Sequence, residues 1–374
     1  MDTAAMKDFI LKKTDKLMRE TGDRLPEGTV DGKYFYKPNA EYGGWTGGFW
    51  IGLLNYCYLM SGDKSYLEYA EMPRHRLVDR LYNMPETLDH DVGFLYLLSE
   101  YARYEIQGKE ESLKVVIDAA DSLAERYNEK GRFIRAWADW GGEFGKNNLG
   151  RIIIDCMYNL PLLFIASEKT GDKKYYDIAV AHADTCINSI VREDGTTFHT
   201  FVFDPETGAK RFGQTCQGWS DDSCWSRGQS WAIGGFAMAY RYAKDKKYIE
   251  VAKKAADKFI ELLEPDYMPK WDFVFKGRDD MPGDSSAAAI AASGLLELAE
   301  YVPEDDAKRY RDVSDKMVEM LWNKCAILDM DTDGLIGHAT GHYKANAWVD
   351  TNLIFADYYF AESVAKRLGI KPIV

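Results

Sequence analysis

Stretches that are apolar at nearly every position alternate along this chain with stretches that are apolar on one side only. The first kind occurs six times, at about 47–60, 91–106, 155–168, 227–243, 285–301 and 347–364, with segments such as Phe49-Trp-Ile-Gly-Leu-Leu and Ala287-Ala-Ala-Ile-Ala-Ala. A helix without a polar face has to be covered on all sides. The second kind, at about 3–21, 64–82, 111–128, 173–192, 245–263 and 305–323, is rich in Lys and Glu and keeps one wet face. Pro73 falls inside one of these and is expected to kink or split it. Six buried helices within six amphipathic ones describe an all-α (α/α)6 barrel, a six-hairpin toroid. The competing arrangement is an irregular helical bundle. Strand patterning is confined to short pieces of the long loops, Thr196–Phe203 before the turn Asp204-Pro-Glu-Thr-Gly, and Lys270–Phe275.

The turns between paired helices share a phrase. Gly62-Asp-Lys-Ser-Tyr-Leu-Glu-Tyr-Ala, Gly171-Asp-Lys-Lys-Tyr-Tyr-Asp-Ile-Ala and Lys244-Asp-Lys-Lys-Tyr-Ile-Glu-Val-Ala each end one helix and cap the next. Their spacing is uneven, which excludes a strict solenoid repeat. No Pro-, Gly- or Ser-rich linker interrupts the chain, so residues 1–374 read as a single domain.

Tight turns lead from buried to amphipathic helices and long loops lead back. The long loops therefore gather at one end, beside the N-termini of the six inner helices. That end suits both a binding site and an anion. The chemically distinctive residues fall there: Trp45 before the first inner helix, His90 and Asp91 at the second, Asp155 at the third, Trp225 and Arg227 at the fourth, Asp284 and Ser285 at the fifth, Lys344 and Trp348 at the sixth. Singly, an aspartate here is an ordinary helix cap and a tryptophan is core. Gathered at one end, carboxylates and aromatic rings suit a sugar site, with rings against sugar faces and carboxyl groups moving protons. Asp155 lies among apolar neighbours, which favours its protonated form. Asp91, beside His90, is expected to be ionised.

The net charge of −13 weighs against nucleic acids and long polyanions, though not against a small anionic sugar. The six cysteines are scattered with no CxxC pair, the N-terminus has no signal-peptide core, and no apolar run reaches membrane-spanning length. These features lead us to expect a cytoplasmic protein with reduced thiols. Asp329-Met-Asp-Thr-Asp-Gly imitates the start of a calcium loop, but its twelfth position is Thr340 instead of Glu, so it reads as a turn. His338 and His342, four apart, are flanked by glycines in a loop-like stretch, which argues against ligation. No metal or cofactor is expected.

At these residues the sequence resembles the unsaturated glucuronyl hydrolases of glycoside hydrolase family 88. The motifs are Trp45-Thr-Gly-Gly-Phe-Trp-Ile-Gly, His90-Asp-Val-Gly-Phe-Leu-Tyr, Phe133-Ile-Arg-Ala-Trp, Ile152-Ile-Ile-Asp-Cys-Met-Tyr-Asn-Leu-Pro-Leu-Leu, Ser220-Asp-Asp-Ser-Cys-Trp-Ser-Arg-Gly-Gln-Ser-Trp and Asp284-Ser-Ser-Ala-Ala-Ala-Ile-Ala-Ala-Ser. The resemblance implies Asp155 as general acid and base, and Asp91 as the second essential carboxylate. It implies His199 and Gln217 as polar groups around a uronate ring, and Arg227 as an orienting or carboxylate-binding residue. Trp45, Trp137, Trp225 and Trp231 become aromatic walls, with Trp140 a rival to Trp137. The implied substrate is a small anionic oligosaccharide whose terminal uronic acid carries a C4=C5 bond left by a lyase. The implied chemistry is protonation at C4 and hydration at C5. The loop Gly341-His-Tyr-Lys-Ala-Asn would touch the next sugar, with Lys344 a candidate partner for its sulfate or carboxylate. A pectin-directed unsaturated rhamnogalacturonyl hydrolase is the nearest alternative, followed by a barrel isomerase and a non-catalytic sugar-binding protein.

Overall fold

The computed structural model describes residues 1–36 and 42–374. Among these, the inner helices are Gly47–Ser61, Val92–Tyr96 with its continuation through a π turn to Ala102–Gln107, Leu160–Thr170, Ser226–Ala243, Ser285–Ala299 and Ile354–Arg367. Their neighbours pack in sequence, and Ile354–Arg367 closes the ring against Gly47–Ser61. The outer helices are Thr3–Thr21, Ser65–Asn83, Glu110–Ala124, Lys173–Ser189, Lys246–Leu262 and Glu304–Met320. The architecture is the (α/α)6 toroid, and it follows from the two kinds of hydrophobic pattern. Almost every residue of Ser285–Ala299 is buried, whereas Glu304–Met320 buries only one stripe.

Four of the tight inner-to-outer turns rest on a residue in left-handed conformation. Gly62, Gly108 and Gly171 supply it without steric cost, and Lys244 adopts it at φ 57°. In the two turns that follow Gly171 and Lys244, Asp172 and Asp245 then accept from the backbone N–H two residues on, capping the next helix.

Two expectations need correction. The helix Ser65–Asn83 runs through Pro73 without a split, with Ala70, Arg74 and Leu77 buried around it. The sixth inner helix begins at Ile354, not near 347, since Asn346, Trp348 and Asp350 take positive φ and hold the chain in an irregular loop. Lys344 and Trp348 therefore belong to that loop. A buried carboxylate, Asp357, anchors the loop's return. It accepts from the Leu335 and Ile336 N–H groups, Asn352 Nδ2 and the Tyr34 hydroxyl. No described helix is long and apolar enough to cross a membrane.

Candidate active site

Strands Arg151–Ile153, Thr200–Phe203 and Lys210–Gln214 form an antiparallel plate at the end of the barrel where the inner helices begin. Buried Arg151 fastens it, donating to Thr200 Oγ1 at 2.7 Å and Gln214 Oε1 at 2.8 Å. Three candidate residues sit on its margins. Asp155 follows the first strand on the 3-10 turn Ile154–Tyr158, His199 precedes the second, and Gln217 follows the third. The Asp155 turn stands apart from the helix Leu160–Thr170 because Pro161 starts that helix.

His199 is buried, and its Nδ1 accepts the backbone N–H groups of Cys216 and Gln217, each at 3.1 Å. Nε2 therefore carries the ring proton, and it has no partner among the described residues. Burial, reinforced by Arg227 and Arg151, holds the ring neutral well below its ordinary pKa. The Trp225 ring lies 4.2 Å away. This is a donor that none of the described residues satisfies.

Both carboxyl groups are buried. Burial pushes Asp155 up to about 7, opposed by the charge of Arg227, its own backbone N–H and the Trp231 indole N–H. Asp155 Oδ1 is buried without a hydrogen-bond partner among the described residues. Asp91 is pushed well above the carboxylate range by burial and by the charges of Asp89 and Asp155, against Asn159 and Arg80. The expectation of an ionised Asp91 is thus corrected: His90 is no counter-cation, because burial lowers its pKa to about 4.

Arg227 is fully buried. It donates to Asp284 Oδ2 at 2.9 Å, to the Thr340 carbonyl at 2.7 Å and to the Gly341 carbonyl at 2.8 Å, with Trp225 against its face at 4.4 Å. Of the two roles expected for it, this geometry is that of an orienting residue. Gln217 Nε2 reaches the same Gly341 carbonyl at 3.1 Å. Trp45 packs on Phe355 and Phe94. Trp137 stands 5.9 Å from His90, and the exposed Trp140 lies 4.8 Å further out. Trp231 is completely covered by Phe94, Tyr158 and Tyr359, so it forms a floor beneath Asp155 and not a wall. Lys344 is exposed on the turn Tyr343–Ala345, with Nζ on the Trp219 carbonyl at 3.0 Å.

Residues 14–359 match the profile of Glycosyl Hydrolase Family 88. This chain belongs to that family. It is 39% identical over 341 residues to an unsaturated chondroitin disaccharide hydrolase of Streptococcus pneumoniae strain R6, covering 90% of this chain and 84% of that protein. The structure of the unsaturated glucuronyl hydrolase of Bacillus sp. GL1, responsible for the degradation of glycosaminoglycan, matches with a TM-score of 0.91 at 37% identity, covering 96% of this chain and 94% of that one. A mutant of the Streptococcus agalactiae enzyme complexed with dGlcA-GalNAc6S matches with a TM-score of 0.86 at 33% identity, covering 100% and 93%. The family 88 chain is a glycoside hydrolase.

Other participants in this family 88 site are not evident from the sequence. The Ala136 carbonyl accepts from His90 Nδ1 at 3.0 Å, and Asn159 joins the segments that carry Asp91 and Asp155. A main-chain acceptor leaves no trace in residue identity. Asn159 stands in the motif that runs from Ile152 to Leu163, but only the folded chain shows what it faces. Asp89, His90 and Asp91 bring three possible ligand atoms within 4.8 Å, the one such group among the described residues. Asp89 Oδ1 already accepts the Asp91 N–H at 2.9 Å, so a hard ion there would take most of its shell from water. The calcium-like segment spends Asp329 Oδ1 on the N–H groups of Asp331 and Thr332, and Asp333 on Lys16 and Tyr34.

Proposed function

We propose that this family 88 enzyme releases a 4,5-unsaturated uronic acid from the non-reducing end of lyase-generated glycosaminoglycan oligosaccharides of chondroitin, hyaluronan or heparin type, by hydrating the C4=C5 bond. The observation that carries the reading is Asp155, a buried carboxyl with a pKa of about 7 and an oxygen left without a partner. A group poised there can give a proton to carbon and then take one from water.

Asp155 gives its proton to C4, and the C4=C5 electron pair forms the new C4–H bond. The cation left at C5 is shared with the ring oxygen. As water bonds to C5, ionised Asp155 takes its proton and the acid is restored. The hemiketal at C5 opens, C1 becomes a hemiacetal, and its collapse expels the leaving sugar. Arg227 acts through its charge, which favours Asp155 as it ionises. His199 Nε2–H and Gln217 offer hydrogen bonds to the uronate, and neutral Asp91 offers one to a hydroxyl. Trp45, Trp137 and Trp225 supply ring faces. Lys344 serves the leaving sugar. The six unpaired cysteines agree with work in the cytoplasm, and no step calls for a cofactor.

The test is loss of ultraviolet absorbance by the conjugated C4=C5–carboxylate group of an unsaturated chondroitin disaccharide. The wild type is expected to remove it and Asp155→Asn to leave it. Persistence of the absorbance with chondroitin, hyaluronan and heparin disaccharides would overturn the reading, and consumption of an unsaturated rhamnogalacturonan disaccharide alone would replace it with the pectin-directed one.

A further inference from the structure

Asp91 occupies the N-cap position of the inner helix that starts at Val92, yet its side chain makes no cap hydrogen bond. The comparison within the molecule is direct: Asp2, Asp172, Asp245 and Asp284 all sit at N-caps and all accept a backbone N–H two or three residues on. That is the ordinary behaviour of an aspartate in this position. At Asp91 the third helical donor, Phe94 N–H, is already taken. Asn159 Oδ1 accepts it at 2.8 Å, from a segment 65 residues away.

Asn159 is free to do this because of its own surroundings. It is the N-cap of Leu160–Thr170 and makes no side-chain cap bond there. Pro161 has no N–H to offer, and Leu162 N–H goes to the Asn159 main-chain carbonyl at 3.2 Å. With Oδ1 committed to Phe94, the amide turns its NH2 towards the Asp155 carbonyl at 3.4 Å and the Asp91 side chain. The approach is close enough to require glycine at 93. A Cβ there would stand 2.6 Å from both Cα and Oδ1 of Asn159.

We infer that Asn159 is a positioning residue: by capping the neighbouring helix across the gap between the two segments, it keeps the Asp91 carboxyl out of the cap and turned to the substrate. Without Asn159, Phe94 N–H is a buried donor at the position three residues on that an N-cap aspartate can fill, and the carboxyl turns to it and away from the sugar. The inference rests on the reading of Asp91 as a catalytic carboxyl.

The experiment measures kcat, KM and the pH profile on the unsaturated chondroitin disaccharide for Asn159→Ala, Asn159→Asp and Asp91→Asn, with a crystal structure of Asn159→Ala. Asn159→Ala is expected to lose about 100-fold in kcat, the scale of a misplaced catalytic group, with little change in KM. Its Asp91 carboxyl is expected on Phe94 N–H. Asn159→Asp restores the cap acceptor and adds a negative charge, so it should regain most of kcat and move the alkaline limb to higher pH. A purely packing role predicts the reverse order, since a buried charge disturbs packing more than a small cavity does. Wild-type turnover by Asp91→Asn would overturn the underlying reading. With Asp91→Asn inactive, wild-type kcat in Asn159→Ala, an Asp91 carboxyl that stays off Phe94 N–H, or failure of Asn159→Asp to exceed Asn159→Ala would overturn the positioning role alone.

Discussion

His90 Nε2 lies 3.2 Å from Asp91 Oδ1, while His90 Nδ1 lies 3.0 Å from the Ala136 carbonyl. A carbonyl only accepts, so Nδ1 carries the ring proton. With the imidazole pKa lowered to about 4 by burial, Nε2 presents a lone pair at neutral pH. The facing carboxyl oxygen attracts that lone pair only if it is itself protonated, which agrees with the direction in which Asp91 is pushed. Nε2 has no hydrogen-bond partner among the described residues, so a neutral acid stands beside a neutral base and its one proton stays free for the substrate.

Replacing His90 by Asn keeps a donor near the Ala136 carbonyl and removes the acceptor facing Asp91. The lone pair that disfavours a charged carboxylate beside it is gone, and the Asp91 pKa falls. We expect kcat to drop roughly ten- to a hundredfold, the scale of one buried polar group left unsatisfied. A steady-state rate within about twofold of wild type would reduce His90 to packing.

Asp155 is held at about 7, against 3.8 for the free side chain. A raised carboxyl adds stability that is fully present below the unfolded pKa and is lost as pH rises through the folded one. At pH 8 the wild type must keep a buried charge, and the Asp155→Asn variant need not. Asp155→Asn should therefore be the more stable protein at pH 8, by on the order of 2 kcal/mol beyond its advantage at pH 5. Urea unfolding at the two pH values checks this, and a pH-independent difference would contradict the assignment.

Arg227 and Asp284 form an ion pair with both side chains essentially fully buried. Arg227→Ala strands Asp284, and the expected loss is about 3–5 kcal/mol. Arg227→Met combined with Asp284→Asn leaves no buried charge and keeps a cap acceptor for Ser286. The double variant should cost clearly less than the sum of its singles in urea midpoints. Additive losses would mean that the two residues act separately.

Lys344 Nζ is exposed and bonded to a main-chain carbonyl, so removing it should leave stability unchanged. If it meets the leaving sugar's sulfate, Lys344→Ala lowers kcat/KM for a sulfated disaccharide by about threefold, in line with an exposed ion pair, and spares the unsulfated one. Equal effects on both substrates would remove Lys344 from the site.

Much of this is legible in the sequence because burial leaves a one-dimensional trace. A helix covered on all sides is apolar all round, and that alone separates Ser285–Ala299 from Glu304–Met320. The start of the last inner helix is not legible, because Ala345-Asn-Ala-Trp-Val-Asp carries no turn signal strong enough to announce three residues at positive φ. The ionisation of Asp91 escapes the sequence for a different reason: proximity of His90 along the chain says nothing about which ring nitrogen faces the carboxyl or how dry the ring is. The cross-cap by Asn159 is beyond any local rule, since donor and acceptor meet only through the ring of inner helices.

The loop that follows Thr340 is tied to the barrel's working end through its backbone. Arg227 and Gln217 grip the carbonyl oxygens of residues 340 and 341, and every amino acid supplies such an oxygen. Beyond that point side chains take over, with Tyr343 stacked on Trp271 at 4.8 Å and Trp348 edge-on to Phe35 at 5.3 Å. The loop is therefore pinned at both ends of its course, and the exposed positions 344 and 345 are those whose side chains can be exchanged without loosening either anchor.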